Sequence, residues 1–131
     1  MAQSLSVRLA SDPASSVPLL KRAERFAVLG EPLGEAIAGE AVFELIADGQ
    51  VVGAFTLGIN ETASGRQIHC AAAGGRPGFD LVGTMARFAE HEAHRIGARQ
   101  LVTHTKRRGL VRRLEREGYR VAGFILTKDT A

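Results

Sequence analysis

Two histidines sit in strand-like stretches where an imidazole could work as a base: His69 within Gln67–Ala73 and His104 within Gln100–Thr105. Histidine is the usual proton acceptor near neutral pH, so both are candidate catalytic residues. His69 neighbours Cys70, but adjacent strand residues point to opposite faces, so the two cannot form a thiol–imidazole pair. His69 therefore reads either as a general base facing a cleft or as a satisfied sheet residue. His104 and Thr105 close a strand, where ligand contacts are common in open α/β sheets.

A second kind of chemistry is anion binding. Gly74-Gly75-Arg76-Pro77-Gly78 leads into a helix from about Asp80 to Ile96, stopped by Gly97. A glycine loop feeding a helix N-terminus directs backbone N–H groups and the positive end of the helix dipole at one point. Lys106-Arg107-Arg108 with Arg112, Arg113 and Arg116 form a basic run that opens a later helix. It reads as a solvated face or as a site for phosphates, of a cofactor or a nucleic acid. No aromatic platform accompanies it, which weakens the nucleic-acid alternative. His91 and His94 could share a metal at helical spacing, but no third ligand is in reach. No serine elbow, P-loop or paired-carboxylate signature is present.

The chain of 131 residues is expected to be one domain, 1–131, able to bury a proper core. No apolar run approaches the ~20 residues of a membrane span. One cysteine excludes an internal disulfide and, with no signal-like start, points to the cytoplasm. Charge is uneven: residues 1–65 hold four Lys/Arg against eight Asp/Glu, net −4, and residues 66–131 hold thirteen against six, net +7.

The elements that must position these groups follow from periodicity. Ser4–Leu9 predicts a strand, and Leu19, Leu20, Ala23, Phe26 and Ala27 a helical stripe ending at Gly30. Residues 31–40 read as a loop or a broken short helix. Ala41–Ala47 and Val51–Ile59 are strands joined by an Asp48-Gly49 hairpin. The second is apolar on both faces, hence central, and Gly53 and Gly58 mark bulges or a close approach. Arg66–Ala73 completes a meander. In the long helix, Leu81, Val82, Met85, Phe88, Ala89, Ala93 and Ile96 face inward. A strand at 100–105, a short helix with Leu114 inward and capped by Gly118, and a last strand from Tyr119 to Thr127 follow. The order β-α-β-β-β-α-β-α-β makes an α/β fold with a mixed, twisted sheet and helices on both faces. The strands at 67–73 and 100–105 should be parallel, with the long helix crossing between them.

With Ala93-His94-Arg95-Ile96-Gly97-Ala98-Arg99-Gln100-Leu101 and Leu114-Glu115-Arg116-Glu117-Gly118-Tyr119-Arg120-Val121, this order resembles the GNAT superfamily of acyl-CoA N-acyltransferases. The resemblance covers nearly the whole chain. It implies a V-shaped cleft that takes acetyl-CoA or a related acyl-CoA, its pyrophosphate on the loop before the long helix. The implied contacts are Ala72, Gly74, Arg76 and Gly78 on the loop, and Phe79, Asp80, Leu81 and Val82 at the helix start. Arg107 would add a contact from the following helix. The sequence departs from the family pattern in two places. Asp80 and Val82 stand where the family has small residues, and Asp80 is more simply an N-cap. Leu114 stands where family members often place a tyrosine as general acid.

Two expectations follow. One is a small acyltransferase acting on an amine, catalysing mainly by positioning and by backbone polarisation of the thioester carbonyl. The other is a GNAT-fold binding or structural module without turnover, similar to small phage-encoded proteins, some of them virion-associated. Asp80 separates them: in an enzyme it folds back as an N-cap and leaves the N–H groups of 78–82 open, and in a module that carboxylate or a neighbouring side chain fills the anion site. A homo-oligomer or larger assembly is compatible with either.

Overall fold

The structure, a computed structural model, describes residues 4–26 and 32–130. Strand β1 (Ser6–Leu9) is followed by α1 (Val17–Leu20), flanked by 3₁₀ turns at Pro13–Ser16 and Lys21–Phe26, and by α2 (Leu33–Ala36). Asp12 starts the first turn by accepting from the Ala14 N–H. The expected stripe thus forms short helical pieces, and its end, from Ala27 to Gly30, lies outside the described residues.

The meander is as expected: β2 (Ala41–Ala47), β3 (Gln50–Thr62) and β4 (Gly65–Cys70) are antiparallel neighbours. Asp48 (φ 50°) and Gly49 (φ 75°) both adopt the left-handed conformation that a two-residue hairpin turn needs. Strand β3 is the buried centre of the sheet, with residues 52–57 all inaccessible. Gly53 meets the predicted close approach: a Cβ there would lie 2.9 Å from Leu45 Cδ1 and 3.2 Å from the Gly74 carbonyl.

Helix α3 (Leu81–Ile96) begins at Asp80, whose side chain accepts from the Gly83 N–H, and ends at left-handed Gly97. It lays Ala89 and Ala93 on Leu45, Phe55 and Ile68, beside the rings of Phe43 and Phe88. Leu20, Leu33, Val42, Ala54 and Ala72 form a second apolar cluster around α1 and α2. Because Ala54 and Phe55 are consecutive on β3, the two clusters lie on opposite faces of the sheet. Strand β6 (Gln100–Thr103) then runs parallel to β4, with Gln67 opposite Gln100 and Cys70 opposite Thr103. Helix α4 (Arg108–Glu115) ends with Gly118 at φ 94°.

Two expectations are corrected. The strand at 67–73 is broken: β4 ends at Cys70, and β5 (Ala73–Gly75), expected to be glycine loop, resumes as sheet against β3 alone. One extra residue separates the registers, since Gly58 faces His69 whereas Phe55 faces Ala73. That is a β-bulge. Its Ala71 N–H donates to Glu40 Oε1 and its Ala72 N–H to Thr56 Oγ1, each at 3.2 Å, so side chains satisfy what the ladder drops. The last strand is absent: residues 119–130 pair with nothing in the sheet, although Val121–Leu126 has strand-like composition. A strand needs an edge to pair with, and composition alone does not provide one.

Candidate functional site

The bulge splits the sheet. Up to Cys70 and Thr103 the strands β4 and β6 are paired, and the Thr103 hydroxyl ties the junction by donating to the Cys70 carbonyl at 3.0 Å. Beyond it, β5 stays with β3 and the chain after Thr103 leaves toward α4, opening a slot. Thr56 N–H donates to the Ala72 carbonyl and Arg76 N–H to the Val52 carbonyl. By antiparallel alternation, Ala72, Gly74 and Arg76 turn their backbone groups to β3, and Ala73 and Gly75 turn theirs away from it, the Gly75 carbonyl accepting from Arg22 Nη1 at 2.9 Å.

Glu40 arrives on the α1–α2 face from the turn after α2, where its N–H donates to the Ile37 carbonyl. Its carboxylate lies flat on β3. A Cβ on Gly58 would sit 2.7 Å from Oε2, so the glycine is what lets the group settle there. Oε1 accepts from Thr56 Oγ1 at 2.7 Å and from the Ala71 N–H, and Oε2 lies 3.1 Å from His69 Nδ1. The Glu40 side chain is 8% exposed and that of His69 24%. An ionised carboxylate only accepts, so Nδ1 carries the hydrogen and Nε2 is left as a proton acceptor. His104 reaches the same place, its ring centroid 5.6 Å from that of His69. The structure therefore brings the two sequence-predicted histidines together beside the slot.

Cys70 faces the other way, into the core under α3. Burial, and then the charge of Glu40, push its thiol up to about 12. Tyr119, just past α4, is half-buried; burial and the neighbouring Cys70, Glu90 and Glu117 push its phenol up to about 12 as well.

The far end of the slot is the start of α3. Gly78 takes φ 95°, and Phe79 packs on the core. Asp80 Oδ1 accepts from the Gly83 N–H at 3.2 Å and from Arg113 Nη2 at 3.0 Å, while Arg87 Nη2 lies 3.6 Å from Oδ2. Glu117 closes the ring, 2.8 Å from Arg113 Nη1 and 3.6 Å from Arg87 Nη1. The Arg113 hydrogen bond, aided by the Gly83 N–H, holds the Asp80 carboxyl below its ordinary value. The first-turn N–H groups of Leu81 and Val82 have no acceptor among the described residues.

The other predicted contacts are placed as follows. Ala72 is buried and its N–H is taken by Thr56. Gly74 is packed on the α1 backbone: a Cβ there would lie 2.0 Å from the Leu19 carbonyl oxygen, so packing alone requires this glycine. Leu81 fills the space over Gly53 and Gly75, and Val82 is half-buried beside it. Arg76 is exposed at the slot, and Arg107 is the N-cap residue of α4. Arg108, Arg112 and Arg116 are exposed on α4, whereas Arg113 turns inward to Asp80. Sequence reasoning missed Glu40, and the one trace of it was Gly58.

No protein-family model and no curated protein matches the chain. Solved structures do. A Pyrococcus furiosus protein described as an acetyl transferase superposes with a TM-score of 0.75 at 15% identity, over 97% of this chain and 100% of that one. A Clostridium acetobutylicum structure described as an acetyltransferase with acetyl-CoA gives 0.67 at 15% identity, over 96% of each chain. Glucosamine-6-phosphate N-acetyltransferase from Arabidopsis thaliana gives 0.65 at 11%, over 98% and 100%. The chain has the GNAT fold. Among its described residues no helix is long and apolar enough to cross a membrane.

Proposed function

We propose that this chain is an acyl-CoA-dependent N-acyltransferase in which His69, oriented by Glu40, is the general base. The observation that carries this reading is the Glu40–His69 contact at the point where β4 and β6 part. The residues of the slot suit an acyl-CoA. The outward backbone groups of Ala73 and the Gly75 N–H line the arm, and the N–H groups of Leu81 and Val82, with Arg76, Arg87 and Arg113, supply donors for phosphates. Bound there, the thioester supplies the activated acyl group. His69 Nε2 takes the proton of an incoming ammonium or amine, and Glu40 stabilises the imidazolium that results. His104 walls the acceptor's approach. No acidic residue is needed at position 114, because a thiolate with a pKa near 8.5 leaves with little help at neutral pH.

Glucosamine-6-phosphate and aminoglycoside acetyltransferases among the structures of like fold agree with an amine acceptor. One observation favours the second reading, a binding module without turnover: Asp80 and Arg113 already pair across the start of α3. Asp80 also caps the helix, as an enzyme requires, and it is more than half exposed, so an entering phosphate can take Arg113 over.

The test is calorimetry with acetyl-CoA, followed by thiol release with a panel of amines. Binding and turnover in wild type, with turnover but not binding lost in His69→Ala, supports the enzyme. Binding only in the Asp80→Gly, Val82→Gly double variant identifies a closed module. Absence of binding in both overturns the cofactor reading.

A further inference from the structure

Helix α4 holds a row of charge that the fold does not use. Leu110 and Val111 are half-buried and Leu114 is buried, so that face packs inward. Arg113, beside it, takes the carboxylates of Asp80 and Glu117. Arg108, Arg112 and Arg116 stand four residues apart, and all three are exposed. That spacing sets them in one row along the helix surface. Among the described residues no ion pair reaches any of the three. Lys106 before the helix and Arg120 after it are exposed as well, and Glu115 is the helix's one carboxylate.

This arrangement works against the helix. Like charges four residues apart repel, and cations at a helix start oppose the macrodipole. The first turn of α4 has no acidic residue and no side-chain cap, and a helix of eight residues is marginal on its own. A face that only meets water has no need of such a row, as α3 shows. Its exposed side mixes signs, with Glu90 3.9 Å from His94 and Glu92 2.6 Å from Arg95. A polyanion would supply the charge that the α4 row lacks.

The chemistry of the row selects among polyanions. Each of its cations is an arginine, whose planar fork gives a phosphate two parallel hydrogen bonds. The exposed residues of the helix, Arg108, Gly109, Arg112 and Glu115, include nothing apolar to enter a bilayer and no ring on which an unpaired base could stack. What fits is the backbone of a duplex. The row from Arg108 to Arg116 is ~12 Å long, and a duplex strand presents a phosphate about every 3.4 Å of its axis.

We propose that the exposed arginines of α4 dock the phosphate backbone of a double-stranded nucleic acid without reading its sequence. Arg113 is committed to the slot and the row is not, so the proposal stands apart from the acyltransferase reading.

The test measures fluorescence anisotropy of short labelled duplexes with the full chain. DNA duplexes of two unrelated sequences should bind alike, and an RNA duplex beside them shows which source of this backbone is preferred. With four phosphates neutralised, by the three arginines and Lys106, raising salt from about 50 to 200 mM should weaken binding about 100-fold. Arg108→Gln with Arg112→Gln and Arg116→Gln should weaken binding more than about tenfold and cut the salt slope by about 3. That variant should melt no lower than wild type, because the repulsion along the row is relieved. Glu115→Gln removes the opposing charge and should tighten binding. Absence of wild-type binding at the lower salt overturns the proposal, and so does binding indifferent to the triple variant. Equal affinity for a single strand, for polyglutamate or for phosphatidylserine vesicles overturns it too, as does displacement of the duplex by acetyl-CoA. Failure of acetyl-CoA to bind at all changes none of the other outcomes.

Discussion

Glu40 Oε2 and His69 Nδ1 meet at 3.1 Å across a sheet surface that a glycine keeps clear. The pair joins a turn after α2 to a strand 29 residues later, and it fixes which imidazole nitrogen faces the slot. Loss of the imidazole removes the base, so His69→Ala should lower kcat by about 10²–10⁴-fold. Glu40→Gln keeps the packing but removes the charge that stabilises the imidazolium. It should lower kcat while leaving acetyl-CoA affinity within a factor of about two, since Glu40 lies on the acceptor side. Affinity falling in step with kcat would mark Glu40 as structural.

Gly58→Ala tests the same arrangement without touching either partner. The new Cβ would lie 2.7 Å from Glu40 Oε2, so the carboxylate must shift off its present seat. That shift strains the hydrogen bonds it accepts from Thr56, Ala71 and His69. Stranding buried donors costs about 1–3 kcal/mol each when water cannot replace the acceptor. We expect a lower melting temperature and a kcat lowered as in Glu40→Gln. Wild-type activity in a stable Gly58→Ala protein would show that Glu40 does not position His69.

What the sequence disclosed was local. Asp48-Gly49 specifies its turn by itself, Asp80 and Gly97 punctuate α3, and strand–helix–strand order predicts the parallel pairing of β4 and β6. The bulge at Ala71-Ala72 was illegible because Glu40 and Thr56 stabilise it from 31 and 16 residues away. Three alanines in a row give no hint of where a ladder breaks. Tyr119–Thr127 misled in the opposite direction: its composition is that of a strand, but pairing is a property of the edge it meets. His69 and His104 could be found from their strand positions. Glu40, inside a stretch that reads as loop, could not.

Cys70 and Tyr119 predict the alkaline limit. Each is held neutral well above its ordinary value, at about 12 in place of 9.0 and 10.0. A group whose pKa is raised on folding contributes fully below its unfolded pKa and loses that contribution as pH rises through the folded value. Stability should therefore fall from about pH 9 toward pH 12. Cys70→Ala should flatten the first part of that fall. Native protein at pH 8 should also react with a thiol reagent more slowly than protein in urea does, because the half-buried thiol stays protonated. Native labelling as fast as in urea would contradict the raised pKa of this half-buried thiol.

Asp80 and Arg113 predict the acid limit and test the slot together. The Asp80 carboxyl is held below its ordinary 3.8 chiefly by the Arg113 hydrogen bond. A carboxyl with a depressed folded pKa stabilises above the unfolded pKa, and the benefit drains away as pH falls through the folded value. Asp80→Asn keeps an N-cap oxygen for the Gly83 N–H but discards the charge. At neutral pH it should melt slightly below wild type, and below about pH 4 the two curves should converge. The pair is exposed, so 0.5 M salt should shrink the neutral-pH gap. Curves that stay parallel down to pH 2 would show that the ion pair contributes nothing. The same variant weakens the hold on Arg113 and Arg87 and removes a negative charge from the start of α3. If that helix end receives the phosphates, Asp80→Asn should bind acetyl-CoA more tightly than wild type even as it loses stability. Those opposite signs separate a binding role from mere damage to the fold.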